Sequence, residues 1–375
     1  VPYLTGDRTM QIDSKNDAWL LGREPPEGWP TDGDFRWVTR DHYVPDRGQA
    51  LTRTLYLSMD PYQWGRRRSG AEMPGDVCHG RTVSEVIASR SDAYREGDII
   101  FNTNGWQRFG LVGTGTDIFG YMFPRILDTN SAPISTAIGI LGMLGLTAYA
   151  GIYLQCRPRP GETVVVSAAS GGVGQAAGQI AGILGCRVVG IAGQKSKCRF
   201  VTEELRFDAC VSHLSPSYPD DLRKACPDGI DAYFESVGGS VYEGVLPLLN
   251  QGSRITLCGM ISQYGNTNPE KASEQWRTMG APFFQKQNVT VHPLFVRNFV
   301  DQHQAAFLEA MSGWIQDGLM RYREDLWDGL ENAPEAFEAM LKGKNFGKTL
   351  VRVAPDPTSN DRLEAGRSNG NVLMV

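Results

Sequence analysis

The sequence predicts an α/β protein that combines a β-rich domain with a doubly wound parallel sheet. Its 375 residues exceed what one ordinary core accommodates, so two domains are expected. Short apolar runs broken by Gly, Pro, Asp and Asn fill the first third of the chain, which is typical of short strands. After residue 131, near-continuous apolar runs alternate with amphipathic stretches, and this alternation indicates parallel strands covered by helices.

The elements follow from these patterns in chain order. Strands at residues 50–57, 82–88 and 98–101 suggest a small barrel or a pair of packed sheets. A helical pattern covers roughly 135–154, a strand at 350–353 is expected to return to the first domain, and residues 356–375 are expected to form a flexible tail. Between them we predict strands at 163–167, 187–192, 209–212, 230–234, 254–258 and 289–291, and helices at 174–184, 197–205 and 302–318.

A glycine-rich turn is the most informative motif. Residues 167–174 read Ser-Ala-Ala-Ser-Gly-Gly-Val-Gly between a predicted strand and a predicted helix. Gly171 and Gly172 would let the main chain approach a pyrophosphate, and Gly174 would let the helix pack closely on the sheet. The start of the helix supplies free N–H groups and a positive partial charge. Together these features predict a dinucleotide site, whereas a glycine cluster alone would fit any tight turn.

The residues after the second strand of this unit select the dinucleotide. An NAD site usually has Asp or Glu about 20 residues after the turn, where it binds the ribose 2′-hydroxyl. Here Gly193-Gln194 is followed by Lys195, Lys197 and Arg199, and the first carboxylate is Glu203. Basic groups suit a 2′-phosphate, so the pattern favours NADP(H). The alternative is that these residues form only the solvated start of a helix.

The metal-ligating residue types do not form a recognisable site. The chain has only five histidines, and its seven cysteines are scattered, without the close pairs of a structural zinc site or a disulfide framework. Cys78 and His79 are adjacent, which makes it difficult for both to bind one ion. We therefore predict that no metal takes part, and that hydrogen-bond donors polarise the substrate.

Charge and hydropathy exclude several classes of partner. The formal net charge of -5 gives no general attraction to nucleic acid or to an anionic membrane. Residues 134–154 are long enough to span a bilayer, but Ser135, Thr136, Thr147 and several glycines interrupt them, which favours a buried helix. The first 16 residues lack the basic start and apolar run of a signal peptide. A cytoplasmic protein with a small-molecule substrate is expected.

A series of motifs resembles one known family. The chain is similar to the zinc-independent medium-chain dehydrogenase/reductase superfamily, and within it to the leukotriene B4 dehydrogenase, prostaglandin reductase, plant double-bond reductase and curcumin reductase group. The resemblance implies a GroES-like catalytic domain at 1–131 and 310–375, and a Rossmann NADP-binding domain at 132–309. In chain order the motifs are Tyr56-Leu-Ser-Met-Asp-Pro-Tyr62, Leu141-Gly-Met-Leu-Gly-Leu-Thr-Ala-Tyr149, the glycine-rich turn, Tyr233-Phe-Glu-Ser-Val-Gly-Gly239, Leu257-Cys-Gly-Met-Ile-Ser-Gln-Tyr264 and Gly343-Lys-Asn-Phe-Gly-Lys348.

The resemblance implies NADPH-dependent reduction of the carbon–carbon double bond of an α,β-unsaturated ketone or aldehyde. Two alternatives remain open. The first is a zinc-free, NADP-dependent alcohol dehydrogenase or ketone reductase, which would use the same hydride geometry. The second is a non-catalytic NADPH-binding protein, as occurs among zeta-crystallin relatives. By family analogy we also expect a homodimer that forms through an edge strand at residues 289–291.

The resemblance assigns catalytic and substrate-pocket roles to three residues. Tyr264 is expected to donate to the developing enolate oxygen or to order the nicotinamide ribose, unless it only packs against the cleft. Tyr62 is expected to line the substrate pocket, unless it is only a turn residue after Pro61. Trp64 is expected to reshape that pocket. The arginines at 66–68 would either attract an acidic substrate or form a solvated basic loop.

The resemblance also assigns residues to the cofactor. Lys197, with Lys195 next to it, is expected to bind the 2′-phosphate, and His213 is expected beside the adenosine phosphate, where a histidine makes binding sensitive to pH. Leu144 replaces a common proline and Gly172 a common alanine, and neither change should abolish binding. The remaining assigned residues are Thr147, Ser170, Gly171, Val173, Gly174, Gly193, Gly238, Cys258, Gly259 and Asn345, besides Tyr264 itself.

Overall fold

The computed structural model describes residues 15–116, 122–266 and 268–359. The predicted tail lies almost entirely outside these residues. The described strands are β1 Lys15–Leu21, β2 Phe35–Asp41, β3 Gln49–Ser58, β4 Thr82–Ser89, β5 Ile99–Asn102, β6 Phe109–Gly113, β7 Arg125–Ile126, β8 Thr163–Val166, β9 Arg187–Ala192, β10 Ala209–Ser212, β11 Ile230–Glu235, β12 Leu249–Leu257, β13 Thr290–Pro293, β14 Glu324–Asp328 and β15 Lys348–Arg352.

Helices cover the parallel sheet and the end of the first domain. The α-helices are α1 Tyr62–Arg68, α2 Met143–Tyr149, α3 Gly172–Ile183, α4 Lys195–Glu203, α5 Tyr218–Ala225, α6 Gly239–Val245, α7 Pro269–Gln287, α8 Arg297–Gln316 and α9 Ala333–Leu341. Short 3₁₀ turns occupy Asp32–Asp34, Ile134–Ile138, Leu246–Leu248, Ile261–Gln263 and Leu330–Asn332, and a π-helical turn occupies Ala150–Cys156. Within the described ranges, no helix is long and apolar enough to cross a membrane.

The predicted β-rich part is confirmed. Strands β14-β15-β3-β4-β5-β7 form one sheet, with β6 paired to β3, while β1 and β2 form a separate antiparallel pair. A core cluster under these strands contains Trp64, Trp106 and Phe337 with surrounding aliphatic side chains. The returning strand is also confirmed, because β15 pairs with β3 in antiparallel register, Leu350 opposite Ser58. Strands β14 and β15 from the C-terminal part of the chain therefore belong to the same sheet as β3 and β4.

The predicted doubly wound sheet is confirmed as well. Its strand order is β10-β9-β8-β11-β12-β13, and every pairing is parallel. The chain order runs outward in one direction from β8 and in the other from β11, so the switch point lies between these two strands. Ligands bind outside the carboxyl ends of the strands at such a point. Strand β13 forms one edge of the sheet, where the predicted dimer strand was expected.

Two details differ from the predictions. The long helix expected over 135–154 is divided into a 3₁₀ turn, α2 and a π-helical turn. Gly142 is the N-cap of α2 in an extended conformation, and a side chain there would overlap the Ala137 carbonyl oxygen, so glycine suits this break between the helical segments. The domain boundary predicted between residues 309 and 310 falls inside α8, which continues to Gln316.

Candidate functional site

The glycine-rich turn lies at the carboxyl end of β8, next to the switch point. Helix α3 begins at Gly172 with Gly171 as its N-cap, and no side chain caps its first amides. The N–H groups of the first turn therefore have no partner inside the helix. A methyl group on Gly171 would meet only the Ala168 carbonyl oxygen, at 3.1 Å, so the outer face of the turn is open. Val173 follows in the first turn, and Ser170 is buried before it.

Gly174 has a different function from Gly171. A side chain at this position would overlap the carbonyl oxygen and carbon of Ala168. Only glycine therefore allows α3 to pack so closely on the turn that leaves β8. Ala168 itself has a φ of 49°, a left-handed conformation that costs energy for a residue with a side chain. The turn is thus held in one specific shape by the packing of the helix.

The end of the second strand carries the residues assigned to the 2′-phosphate. Gly193 follows β9, and a methyl group there would lie 3.5 Å from His213 Nε2. Lys195 is exposed at the first position of α4. Lys197 is only 8% exposed, and its Nζ donates to the Gly343 carbonyl oxygen at 2.7 Å. Gly193, His213 and the two lysines thus lie just beyond the carboxyl ends of β9 and β10.

Burial changes the pKa values of Lys197 and His213 at this end of the sheet. Burial lowers the pKa of Lys197, an effect that nearby Asp325 opposes. Burial and the charge of Lys197 also lower the pKa of His213, so its imidazole is neutral at pH 7. Within the described part of the chain, Lys197 forms no ion pair closer than 4 Å, and its carbonyl partner is neutral. Its positive charge therefore remains available to an anion.

The C-terminal segment Gly343-Lys-Asn-Phe-Gly347 returns to this end of the sheet, where Lys197 lies. Phe346 packs between Phe200 of α4, with ring centroids 5.1 Å apart, and the guanidinium of Arg323, 3.8 Å from its ring. Asn345 Nδ2 donates to the Gly347 carbonyl oxygen at 2.9 Å. Gly347 forms a parallel β-bridge with Gly171. The structure thus brings Asn345 close to the glycine-rich turn, although 174 positions separate residues 171 and 345 in the chain.

A buried carboxyl group organises the loop after β11. Glu235 Oε1 accepts hydrogen bonds from the main-chain N–H groups of Val237 at 2.7 Å and Gly238 at 3.1 Å. Burial raises the pKa of Glu235, while these N–H donors oppose the rise. Gly238 has a φ of 76°, which favours glycine. Our sequence interpretation did not assign a role to Glu235, although it lies within one of the family-like motifs.

Four assigned residues lie in or after two elements: Cys258, Gly259 and Tyr264 follow β12, and Thr147 lies in α2. The main-chain N–H groups of Cys258 and Gly259 both donate to the Glu235 carbonyl oxygen, at 2.9 and 3.2 Å. A methyl group on Gly259 would lie 2.6 Å from the Tyr264 hydroxyl, so the phenol lies directly over Gly259. Burial raises the pKa of Cys258 to about 12, and its thiol therefore stays protonated. The Thr147 hydroxyl donates to the Met143 carbonyl oxygen at 2.7 Å.

Tyr62 begins α1, so it is not merely a turn residue. Its hydroxyl lies 2.7 Å from His79 Nε2, and the Arg81 guanidinium lies 5.0 Å above its ring. Burial, together with the charges of Arg81, Arg66 and Arg67, holds the pKa of His79 well below its usual value. The imidazole is therefore neutral, and a neutral imidazole can either donate to or accept from the phenol. His79 is a residue that our sequence interpretation considered only as a metal ligand.

The structure corrects the expectation for Trp64. Its side chain has no exposed surface and packs against Phe337 in the core of the first domain. Its indole N–H donates to the Gly28 carbonyl oxygen at 2.9 Å. A fully buried indole does not line an open pocket, so Trp64 affects the cleft only through the residues that it holds.

A buried charge cluster connects the first domain to the glycine-rich turn. Lys348 Nζ lies 2.8 Å from Asp60 Oδ1, and the Arg81 guanidinium lies 3.3 Å from Asp60 Oδ2. The Lys348 side chain also reaches the turn, because its Cδ lies 3.4 Å from the position of a methyl group on Gly172. No sequence pattern indicated this cluster, since its members lie far apart in the chain. Among the described residues, no group of three His, Cys, Asp or Glu side chains is placed to hold a metal ion.

The fold and the turn define the class of protein. A β-rich domain joined to a six-stranded parallel sheet, with a glycine-rich turn after its first strand, is a Rossmann-type dehydrogenase or reductase architecture. Family models agree: residues 18–120 match the N-terminal domain of oxidoreductase, and residues 172–308 match the zinc-binding dehydrogenase family. The chain belongs to the medium-chain dehydrogenase/reductase superfamily, in the zinc-independent group that includes curcumin, prostaglandin and 2-alkenal reductases.

The relatives match almost the whole chain. The NADPH-dependent curcumin reductase of Escherichia coli strain K12 is 40% identical over 92% of this chain and 99% of its own length. Prostaglandin reductase 1 of Mus musculus is 35% identical over 89% of this chain and 98% of its own length. The crystal structure of CurA in complex with NADPH from Vibrio vulnificus has a TM-score of 0.82 and 37% identity, covering 91% of this chain and 100% of that one.

Proposed function

We propose that the protein reduces the carbon–carbon double bond of α,β-unsaturated ketones or aldehydes with NADPH. The residues present fit this cofactor: the uncapped start of α3 and the open face of Gly171 suit a pyrophosphate, and the Lys197 ammonium suits a 2′-phosphate. The names of the relatives support the same cofactor and reaction, since they include an NADPH-dependent curcumin reductase and a 2-alkenal reductase of Nicotiana tabacum.

The position of the Tyr264 phenol is the observation that carries the proposal. The hydroxyl lies over Gly259, beyond the carboxyl end of β12. This is the side of the sheet where the glycine-rich turn, Gly193 and Gly238 also lie. A hydrogen-bond donor is therefore placed at the end of the site where the nicotinamide half would bind. Thr147, Cys258 and Gly259 would contact that half, and Asn345 would reach the cofactor from the C-terminal segment.

When bound, NADPH supplies the hydride that adds to the β-carbon of the enone. Negative charge then develops on the carbonyl oxygen, and a donor aimed at that oxygen lowers the barrier. We assign this role to the Tyr264 hydroxyl, which needs no ionisation to donate. Tyr62 supplies a second phenol from the first domain, which we assign to the substrate pocket, with His79 holding its hydroxyl. The α-carbon takes its proton from one of these groups or from water.

A matched pair of ketones tests the proposal. Benzylideneacetone contains the enone, and benzylacetone is the same ketone without the double bond. We expect NADPH consumption with benzylideneacetone, and gas chromatography should identify benzylacetone as the product. We expect no consumption with benzylacetone itself.

The two alternatives give different results in the same assay. An alcohol dehydrogenase or ketone reductase would consume NADPH with benzylacetone and form the alcohol. A non-catalytic NADPH-binding protein would enhance NADPH fluorescence without consuming it with either compound. Either result would overturn the proposed reaction.

We also infer a homodimer that forms through β13. This strand pairs with β12 on one side and forms the edge of the sheet, where exposed backbone groups can pair with a second copy. Light scattering at several protein concentrations tests the dimer. A monomeric mass at all concentrations would exclude it.

A further inference from the structure

Helix α1 contacts the loop that carries Tyr264, although the helix and the loop belong to different domains. This loop, here called the Tyr264 loop, comprises residues 259–266 after β12. Arg68 is the last residue of α1, and its Nη1 donates to the Tyr264 carbonyl oxygen at 2.8 Å. A hydrogen bond from a guanidinium is charge-assisted, and it is stronger than one between neutral groups.

A second connection runs from α1 through Gly28. The Trp64 indole N–H donates to the Gly28 carbonyl oxygen at 2.9 Å, and the Gly28 N–H donates to the Gly265 carbonyl oxygen at 2.8 Å. A methyl group on Gly265 would lie 3.5 Å from Gly28 Cα, so the two backbones are in contact. Gly28 adopts a φ of 98°, a conformation that side chains rarely tolerate. Packing of the buried Trp64 thus fixes Gly28, and Gly28 holds Gly265.

Two of the three consecutive arginines of α1 share one carboxylate, and the third bonds to the Tyr264 loop. Arg67 is buried, lies 2.9 Å from Glu72 and stacks 4.6 Å above the Trp106 ring. Arg66 lies 3.9 Å from the same carboxylate, on the first-domain side. The Arg68 side chain bonds to the Tyr264 loop. This arrangement corrects the expectation of a solvated basic loop, because the arginines form the end of a packed helix.

The Tyr264 loop is hydrogen-bonded to a different segment at each half. Its first half is tied to the loop after β11, since the Ile261 and Ser262 N–H groups donate to the carbonyl oxygens of Ser236 and Val237 at 3.0 and 3.1 Å. The bonds from Arg68 and Gly28 act further along the loop, on residues 264 and 265. The two halves of the loop are thus bonded to different segments of the chain.

We propose that Arg68 and Trp64 are positioning residues, which hold the Tyr264 loop from the first domain and so fix the Tyr264 phenol over Gly259. This inference rests on the proposed function in one respect, namely that the Tyr264 hydroxyl takes part in the reaction. The ordering of the Tyr264 loop by α1 does not depend on the proposed reaction. The run from Gln63 to Arg68 thereby obtains a function that needs no direct contact with substrate.

Kinetics on the full-length protein test the positioning role. With benzylideneacetone, Arg68→Met is expected to lower kcat about tenfold while the KM for NADPH stays unchanged, and Arg68→Lys is expected to restore part of the loss. Trp64→Phe keeps an aromatic ring but removes the N–H and the five-membered ring, and a smaller fall in kcat is expected. Arg223→Met is the control, because it makes the same change at a guanidinium that is 60% exposed on α5, and kcat is expected to remain at the wild-type value.

A double-variant comparison separates positioning from general damage. In the Tyr264→Phe background the hydroxyl is absent, so Arg68→Met is expected to cause little further loss of kcat. An equal loss in both backgrounds would overturn the positioning role.

Hydrogen exchange followed by mass spectrometry tests the loop without any substrate. Peptides that cover residues 259–266 are expected to exchange faster in Arg68→Met than in wild type, and to be unchanged in the control Arg223→Met. Unchanged exchange in Arg68→Met would overturn the inference. If wild type reduces no enone but this exchange pattern is observed, the proposed function fails while the ordering of the loop by α1 stands.

Discussion

The side chain of Leu144 occupies the space that a side chain at residue 172 would need. A methyl group built on Gly172 would overlap Leu144 Cδ2. Leu144 is 7% exposed in α2, and the contact joins α2 to the first turn of α3. The Leu144 side chain therefore fits in this position because residue 172 has no side chain.

This contact predicts a coupled effect on stability. Gly172→Ala is expected to lower the free energy of unfolding by about 1 kcal/mol, because the added methyl overpacks the contact and the end of the Leu144 side chain must shift. The double variant with Leu144→Ala should lose less than the two single variants together. Urea unfolding measures all three. Gly182→Ala is the control in the same helix, where the methyl would meet only Val188, at 3.9 Å. Simple additivity would contradict the coupling.

The charge of Lys197 predicts cofactor selectivity. Lys197→Glu is expected to weaken NADPH binding at least tenfold more than NADH binding, because only NADPH carries the 2′-phosphate. Fluorescence titration with each cofactor gives the two dissociation constants. Lys224→Glu makes the same charge change at a side chain that is 79% exposed on α5, and it should affect neither constant. An equal loss for both cofactors in Lys197→Glu would remove the assignment to the phosphate.

The Tyr264 hydroxyl is expected to act on turnover rather than on cofactor binding. Tyr264→Phe should lower kcat for benzylideneacetone by about 100-fold, at the lower end of the range for loss of one donor to a developing negative charge, while the NADPH dissociation constant changes little. Tyr153→Phe removes a phenol that is 42% exposed in the same domain, and it should leave both quantities unchanged. An unaffected rate in Tyr264→Phe would reduce this tyrosine to a packing role.

The pair formed by Lys348 and Asp60 is expected to be essential for stability. Lys348→Met should lower the free energy of unfolding by about 3–5 kcal/mol, because it leaves a buried carboxylate with one partner fewer. Adding Asp60→Asn removes that charge and should recover part of the loss. Thermal and urea unfolding give both values. No recovery in the double variant would show that the charge of Asp60 is not the cause.

The same pair predicts how stability depends on pH. Burial opposes ionisation of Asp60, but the charges of Lys348 and Arg81 outweigh it and lower the pKa of this carboxyl. A lowered folded-state pKa contributes stability above the unfolded value of about 3.9, and this contribution is lost as pH falls through the folded value. Acid unfolding of wild type should therefore include a component below pH ~4 that Asp60→Asn lacks. Identical acid profiles would contradict this.

The parts of the site that depend on local sequence were predictable. The glycine-rich turn needs a strand, three glycines and a helix within a few residues, so its chemistry can be recognised without the rest of the chain. The same holds for Lys195 and Lys197, which directly follow the second strand. Strands β8 to β12 were predictable because buried parallel strands are apolar along their whole length.

Contacts between distant segments were not predictable in this way. The partners Lys348 and Asp60 are separated by 288 positions, and Arg68 and Tyr264 by 196. Helix α1 has only seven residues and three arginines, so its sequence suggests an exposed loop. It is a helix because Trp64 and Arg67 are buried against Trp106 and Phe337, which no local pattern reveals.

By itself, the sequence determined the fold class, the dinucleotide turn and the family, because these depend on short-range periodicity and on motifs whose residues are contiguous. Only the tertiary structure decided that Trp64 belongs to the core, that Tyr62 contacts His79 and that α1 holds the Tyr264 loop. The physical reason is that burial and hydrogen bonding of these side chains are set by segments that meet only after folding. Gly172 illustrates both: the sequence alone places it in the glycine-rich turn, but only the tertiary structure shows that Leu144 fills the space that a side chain at residue 172 would need.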